Sequence, residues 1–174
     1  MSFTLRILNN SDSAALRTLR LQALADSPAN FGADFGRESL QAASYFTDKI
    51  NHPDNIGIFG AFDGTQLIAM MGLQRDSGLK RRHCAKLWGV FTAPAYRGQG
   101  ISANLLQMLI RIARQQPGLL HIRLGVNARN TAAHQLYLRA GWTEYGREPD
   151  ALSVNGEMQE EILMTLKLVG DHSR

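Results

Sequence analysis

The residues of this chain best suited by type and spacing to do chemistry are Arg97, Gly98, Gln99, Gly100, Ile101 and Ser102, a run between a strand-like segment ending near Thr92 and a periodic apolar segment beginning near Gly100. A helix that starts there exposes unpaired N–H groups and the positive end of its peptide dipoles. Glycines let a ligand approach that backbone without meeting a Cβ, and Arg97 adds a permanent cation whose donors suit phosphate oxygens. The chemistry this composition offers is the holding of a pyrophosphate. A glycine pair also serves as a plain helix entry, so the run is a weak signal by itself. A P-loop would need Gly-Lys followed by Ser or Thr, and a dinucleotide fingerprint a third glycine inside a parallel βαβ unit; neither pattern fits.

A second group is Tyr137. The segment Thr131 to Arg139 reads as a helix closed by Gly141, on which Ala133, Leu136, Tyr137 and Ala140 share one side, so the phenol points inward. Packing alone is sufficient reason for a buried tyrosine. The single cysteine, Cys84, offers neither an internal disulfide nor zinc spacing, and no metal is expected. Lys80-Arg81-Arg82-His83, beside Gly78, reads as a solvated hairpin loop. The formal charge of +4, from 19 basic and 15 acidic residues, suits a phosphate-bearing ligand; without aromatics interleaved among the cations, no nucleic-acid partner is expected. Apolar runs such as Leu67 to Leu73 fall far short of the roughly 20 residues of a membrane helix, so no membrane association is expected. Met1 to Arg6 is polar and alternating, without a charged-then-apolar export signal, which makes the cytoplasm the expected location.

The elements that must position these groups follow from periodicity. At 174 residues and 44% hydrophobic, the chain suits a single domain over 1–174. Thr4 to Leu8 reads as a strand. Asn9 to Asp12 supply caps for a helix carrying Leu16, Leu19, Ala23 and Leu24, and the Pro28 to Gly32 region breaks it before a second helix from about 34 to 49. In the connecting loop, Phe31 and Phe35 either plug the core or line a pocket. Alternation then predicts a meander of three strands, with a turn at Asp63-Gly64 and an end near Thr92. A helix to Pro117-Gly118, a strand from Leu119 to Val126, the Tyr137 helix and two further strands complete a mixed α+β chain around one sheet.

The run from Leu87 through Arg97-Gly98-Gln99-Gly100-Ile101 resembles the acetyl-coenzyme A signature of the GNAT superfamily of N-acetyltransferases. The family pattern is Arg or Gln, two residues, Gly, one residue, then Gly or Ala. Here it reads Arg97, Gly100 and Ser102, and Ser102 departs from it while remaining small. The segment Leu124 to Trp142, with Asn127, Asn130 and Tyr137, is the stronger match, and 150 to 164, with Gly156 in a turn, is similar to the family's last hairpin. The resemblance implies a GNAT-like α+β fold: one central mixed, mostly antiparallel sheet of about six or seven strands, about four flanking helices, and a splay between the fourth and fifth strands. It implies acetyl-coenzyme A as co-substrate, its diphosphate on residues 97 to 102 and its pantetheine arm in the splay. Phe91 and Thr92 would offer it backbone, Ala133 contact, Asn130 a hydrogen bond, and Tyr137 a place near the thioester sulfur.

The implied reaction is acetyl transfer to an amine of a small molecule or peptide by direct attack in a ternary complex, with Tyr137 assisting the departing sulfur. An ammonium of pKa roughly 10.4 must first lose a proton. Many relatives carry a glutamate ahead of the phosphate loop, but Ala85 to Phe91 holds no carboxylate. Asn127 is the candidate to hold a water or the acceptor, and Phe31 a candidate wall of the acceptor site. Glu38 and His83 read as an exposed helix face and a hairpin edge. The missing glutamate keeps open an acetyl-coenzyme A sensor without chemistry. Dimers are common among proteins of this resemblance, which makes a homodimer one expected state.

Overall fold

The computed structural model describes residues 3–168. Strand β1 (Thr4–Ile7) leads into a single 3-10 turn (Asn10–Asp12) in which Asn9 accepts from the Ser11 amide at 2.9 Å and Asp12 accepts in return from the Asn9 amide at 2.8 Å, a reciprocal cap on the turn that runs into α1 (Ser13–Asp26). The stripe this helix buries is Leu16, Leu19, Arg20, Ala23 and Leu24, an apolar face with one cation in it. The helix expected over 34–49 is two shorter ones, α2 (Phe35–Ser39) and α3 (Ala43–Ile50). Asp34 caps the first through the Arg37 amide, and Leu40 to Ala42 part them.

The sheet is built from β2 (Asn55–Asp63), β3 (Gln66–Arg75), β4 (Cys84–Thr92), β5 (His121–Asn127), β6 (Thr143–Val154) and β7 (Glu157–Lys167) together with β1, in the order β1-β2-β3-β4-β5-β7-β6. Helix α4 (Ile101–Arg114) joins β4 to β5, and α5 (Thr131–Arg139) joins β5 to β6. All neighbours are antiparallel except β4 and β5, which pair in parallel only from Cys84 to Lys86 against His121 to Arg123. Beyond Lys86 the two strands separate. The last two strands are longer than their apolar runs suggested, because Asn155-Gly156 turns a hairpin whose exposed residues still pair.

A core lies on each face. Helix α4 buries Ile101, Leu105, Leu106, Leu109, Ile110 and Ala113 in the core that includes Phe59, Ile68, Met71 and Leu87 of β2 to β4. Each fully buried Leu or Ile contributes about 1.5–3 kcal/mol, so α4 is held by packing rather than by propensity. On the other face α1 and α3 cover Ile58, Phe62, Met70 and Phe91. The sheet is thus gripped on both sides of β4 and open where β4 leaves β5.

Candidate active site

The glycine turn lies ahead of the helix. Gly98 and Gly100 take φ of 76° and 75°, and Gly100 is the N-cap of α4 with no side chain closing the helix end. Positive φ is what requires glycine there, and a Cβ added at either would meet nothing within 4 Å, so open space rather than packing lies above them. The first main-chain bond into this turn runs from the Asn104 amide to the Gly100 carbonyl at 3.0 Å, leaving the amides before it directed out of the helix end.

The turn forms one wall of a cleft of about 560 Å³, lined among others by Phe31, Val90, Phe91, Thr92, Arg97, Gly98, Gly100, Ile101, Ser102, Asn130, Ala133 and Leu136. Most of the residues proposed from sequence for cofactor contact therefore meet in one cavity. Gln99 is exposed beside it, with its amide 3.5 Å from the Ala95 carbonyl. The Ser102 hydroxyl, the departure from the family pattern, lies 2.7 Å from the Thr92 hydroxyl and ties the first turn of α4 to the end of β4. Asn130 caps α5, its Oδ1 accepting from the Ala133 amide at 3.2 Å. Its Nδ2 makes no hydrogen bond among the described residues.

Arg97 is beside the turn, and two of its nitrogens are engaged. Nε donates to the Thr92 carbonyl at 3.0 Å and Nη2 to Asp26 at 2.7 Å, with the guanidinium 5.5 Å from the Phe91 ring centre. A bonded Ser27 hydroxyl, and then Arg97, hold the Asp26 carboxyl below its ordinary range. Tyr137 is on the inward side of α5 as the helical spacing requires, 4% exposed and tilted against Trp142 at 5.7 Å. It is deeper than Ala133 and Leu136, which reach the cleft. Burial pushes its phenol well above the ordinary range, so it keeps its proton through neutral pH.

Asn127 is buried and its amide is committed. Nδ2 donates to the Ala29 carbonyl at 2.9 Å and to Gln159 at 3.1 Å, and Oδ1 accepts from the Arg129 amide at 2.8 Å. It pins the loop after α1 to β5 and β7 and has little capacity left for a water or an acceptor. Phe31 settles both of its readings: it is buried with the α1 core, 6.4 Å from Phe91, and also lines the cleft. Phe35 is exposed.

Glu38 was expected on a solvated face and instead is 5% exposed. It receives Nε and Nη2 of Arg20 at 3.0 and 3.1 Å, with Lys49 at 3.9 Å. Arg20 occupies the stripe of Leu16 and Leu24, so its i+4 spacing was the signal that a cation would be drawn inside. Its Nη1 is buried without a hydrogen-bond partner among the described residues and lies toward Gly89, which has φ of 64° where β4 bulges against β3. Arg81 pairs with Asp76 and Arg82 with Asp54, so the basic run is a braced surface loop. Among the described residues no three His, Cys, Asp or Glu gather to hold a metal, and no helix is long and apolar enough to cross a membrane.

Comparison with known proteins agrees with this geometry. The model of the acetyltransferase (GNAT) family matches residues 21–142. An acetyltransferase of the GNAT family from Streptococcus pneumoniae superposes with a TM-score of 0.84 at 21% identity, covering 96% of this chain and 99% of that one. A putative acetyltransferase from Salmonella typhimurium, solved with acetyl-CoA, gives 0.80 at 19% identity over 97% and 95% of the two chains. A ribosomal-protein-alanine N-acetyltransferase from Brucella melitensis gives 0.80 at 21% identity over 95% and 99%. These likenesses carry the fold, and the family match carries the class. With its glycine turn, cleft and parted strands, the chain belongs to the GNAT acetyltransferase family.

Proposed function

We propose that this acetyltransferase passes the acetyl group of acetyl-coenzyme A to an amine by direct attack, both substrates being bound at once. The observation that carries the reading is the left-handed glycine turn opening α4 onto a cleft that runs toward the gap between β4 and β5. The amides of residues 98 to 103 and the Arg97 guanidinium hold the diphosphate. The β5-facing edge of β4, unpaired beyond Lys86, offers main-chain groups to the amides of the pantetheine arm, and Asn130 adds a donor. When bound, this co-substrate supplies the activated acyl group. Strand N–H groups near Phe91 steady the carbonyl oxygen as it gains charge, and Tyr137, held protonated, donates to the sulfur that leaves.

The acceptor is the amine of a small molecule or a peptide. One structural relative is named for a ribosomal-protein alanine, which places peptide N-termini on the panel to be tried. The loop after α1 and the last hairpin, joined through Asn127, bound the acceptor end, with Phe31 as one wall; Asn127 acts there by fixing that loop. The proposed location is the cytoplasm, and a homodimer is one state to test. A second reading, a sensor that binds without chemistry, draws on the absence of a carboxylate from Ala85 to Phe91. Thiol release from acetyl-coenzyme A across a panel of amines separates the two: amine-dependent release supports the transferase, and tight binding with no release from any amine supports the sensor.

A further inference from the structure

The gap between β4 and β5 opens on two faces. Leu87, Leu124 and Ile162 belong to the core on the α4 face of the sheet, so the alternate residues of the same strands look the other way. On that side is a second cavity of about 600 Å³, lined by Lys86, Trp88, Gly125 and Glu161 among others. Register places the carboxylate: Gly125 is opposite Leu163 and Asn127 opposite Glu161, so Glu161 leans along the face of β5 toward the glycine. A Cβ at position 125 would lie 2.5 Å from Glu161 Oε2. The missing side chain is what lets the carboxylate rest over the β5 backbone, beside the gap that the thioester must reach.

We propose that Glu161, on the last hairpin that bounds the acceptor end, is the proton acceptor of the reaction: it takes the proton of the amine from the side of this second cavity, while Phe31 and the loop after α1 bound the rest of the acceptor, and it does the work for which β4 has no carboxylate. The inference rests on the transferase reading above. An arriving ammonium gives one proton to Glu161, directly or through one water, and Glu161 returns it to solvent. The nitrogen lone pair forms the N–C bond as the C–S bond breaks, and the electron pair of that bond leaves on sulfur. The second proton shed by nitrogen balances the one the sulfur receives by way of Tyr137. The products are the N-acetylated amine, the free thiol and one proton.

The surroundings suit a base. Glu161 makes no ion pair among the described residues. Burial raises its carboxyl above the ordinary range; Lys86 on β4 pulls it down and Glu148, directly across on β6, raises it. The other charged groups of the cavity are turned elsewhere: Arg123 on β5 lies 5.8 Å from the Tyr145 ring, Arg75 donates to the Pro117 carbonyl, and Arg81 holds Asp76. A carboxylate poised nearer neutrality with no cation bound to it is matched to taking a proton from an ammonium.

The test uses wild type, Glu161→Gln and Glu148→Gln, with acetyl-coenzyme A affinity by calorimetry and thiol release against the amine panel as a function of pH. In E161Q, turnover should fall by about 100-fold or more with the affinity unchanged, and the acidic limb of kcat/KM should vanish. E148Q should move that limb to lower pH, since it removes a like charge. An active wild type with undiminished turnover and an unmoved limb in E161Q overturns the role of Glu161 and leaves the transferase reading standing. Loss of acetyl-coenzyme A binding in E161Q would show a structural carboxylate and also overturn it. A wild type that binds but releases no thiol with any amine defeats both readings together.

Discussion

Arg97 and Asp26 meet at 2.7 Å across 71 positions of sequence, at the mouth of the cleft beside the glycine turn. The cation that would serve the diphosphate is thus already paired, and a half-exposed ion pair is worth only about 0.2–1 kcal/mol. Asp26→Asn frees the guanidinium and removes a negative charge from the approach of an anion. Calorimetry should show acetyl-coenzyme A binding up to about five-fold more tightly in D26N. Arg97→Ala should weaken it by roughly 10- to 150-fold, the loss of charge-assisted bonds of about 1.5–3 kcal/mol, and should flatten its salt dependence.

Glu38 neutralises a guanidinium that is itself nearly sealed from water. Glu38→Ala strands that charge, and breaking a buried pair from one side costs about 3–5 kcal/mol. Urea unfolding should show a loss of that size, with the slope of the transition unchanged. Arg20 also lies over Phe31 and Trp88, so the same substitution should loosen the wall between cleft and core. A loss under about 1 kcal/mol would mean that the pair is solvated in solution.

Tyr137→Phe removes one hydroxyl and keeps the ring against Trp142. Turnover should fall by about 100-fold while the KM for acetyl-coenzyme A holds steady, the pattern of a group used only as the sulfur leaves. Unchanged turnover would return Tyr137 to packing.

Much of this was legible in the sequence, and the reasons are physical. Helix α4, the end of β4 and the glycine turn are local features: a 3.6-residue stripe, a Pro94 after alternation, and two glycines forced by positive φ. Most of the residues singled out for cofactor contact therefore line one cleft, whose occupant is the proposal above. Charged residues inside were the failures. Arg20 and Glu38 are 18 positions apart, and neither shows from local pattern that the other neutralises it. Asn127 matched its motif, but its partners Ala29 and Gln159 come from distant segments, so spacing could not show that its amide was already satisfied. Glu161 sits in an alternating strand like any outward carboxylate, and only the lean of its side chain over Gly125, two residues from its register partner Asn127, distinguishes it.

That register has a consequence for stability. Burial raises the Glu161 carboxyl in the fold above its unfolded value, so the folded chain holds this proton more tightly. The stabilisation is complete below the unfolded pKa and is lost as pH rises through the folded one, leaving an ionised group in an unfavourable place at neutral pH. E161Q should therefore melt higher than wild type at neutral pH, with the difference shrinking on acidification into the carboxylate range. A lower melting temperature for E161Q at neutral pH would contradict the burial argument.

The backbone grip on the diphosphate is tested most directly by titrating acetyl-coenzyme A into wild type and Gly100→Ala in a calorimeter, each first shown to be folded. A Cβ at φ of 75° costs roughly 1–2 kcal/mol of strain and projects into the open space over the turn. Single-site binding by wild type, weakened by about ten-fold or more in G100A, is the predicted result. No heat of binding with wild type, or equal affinity in the two proteins, would contradict it.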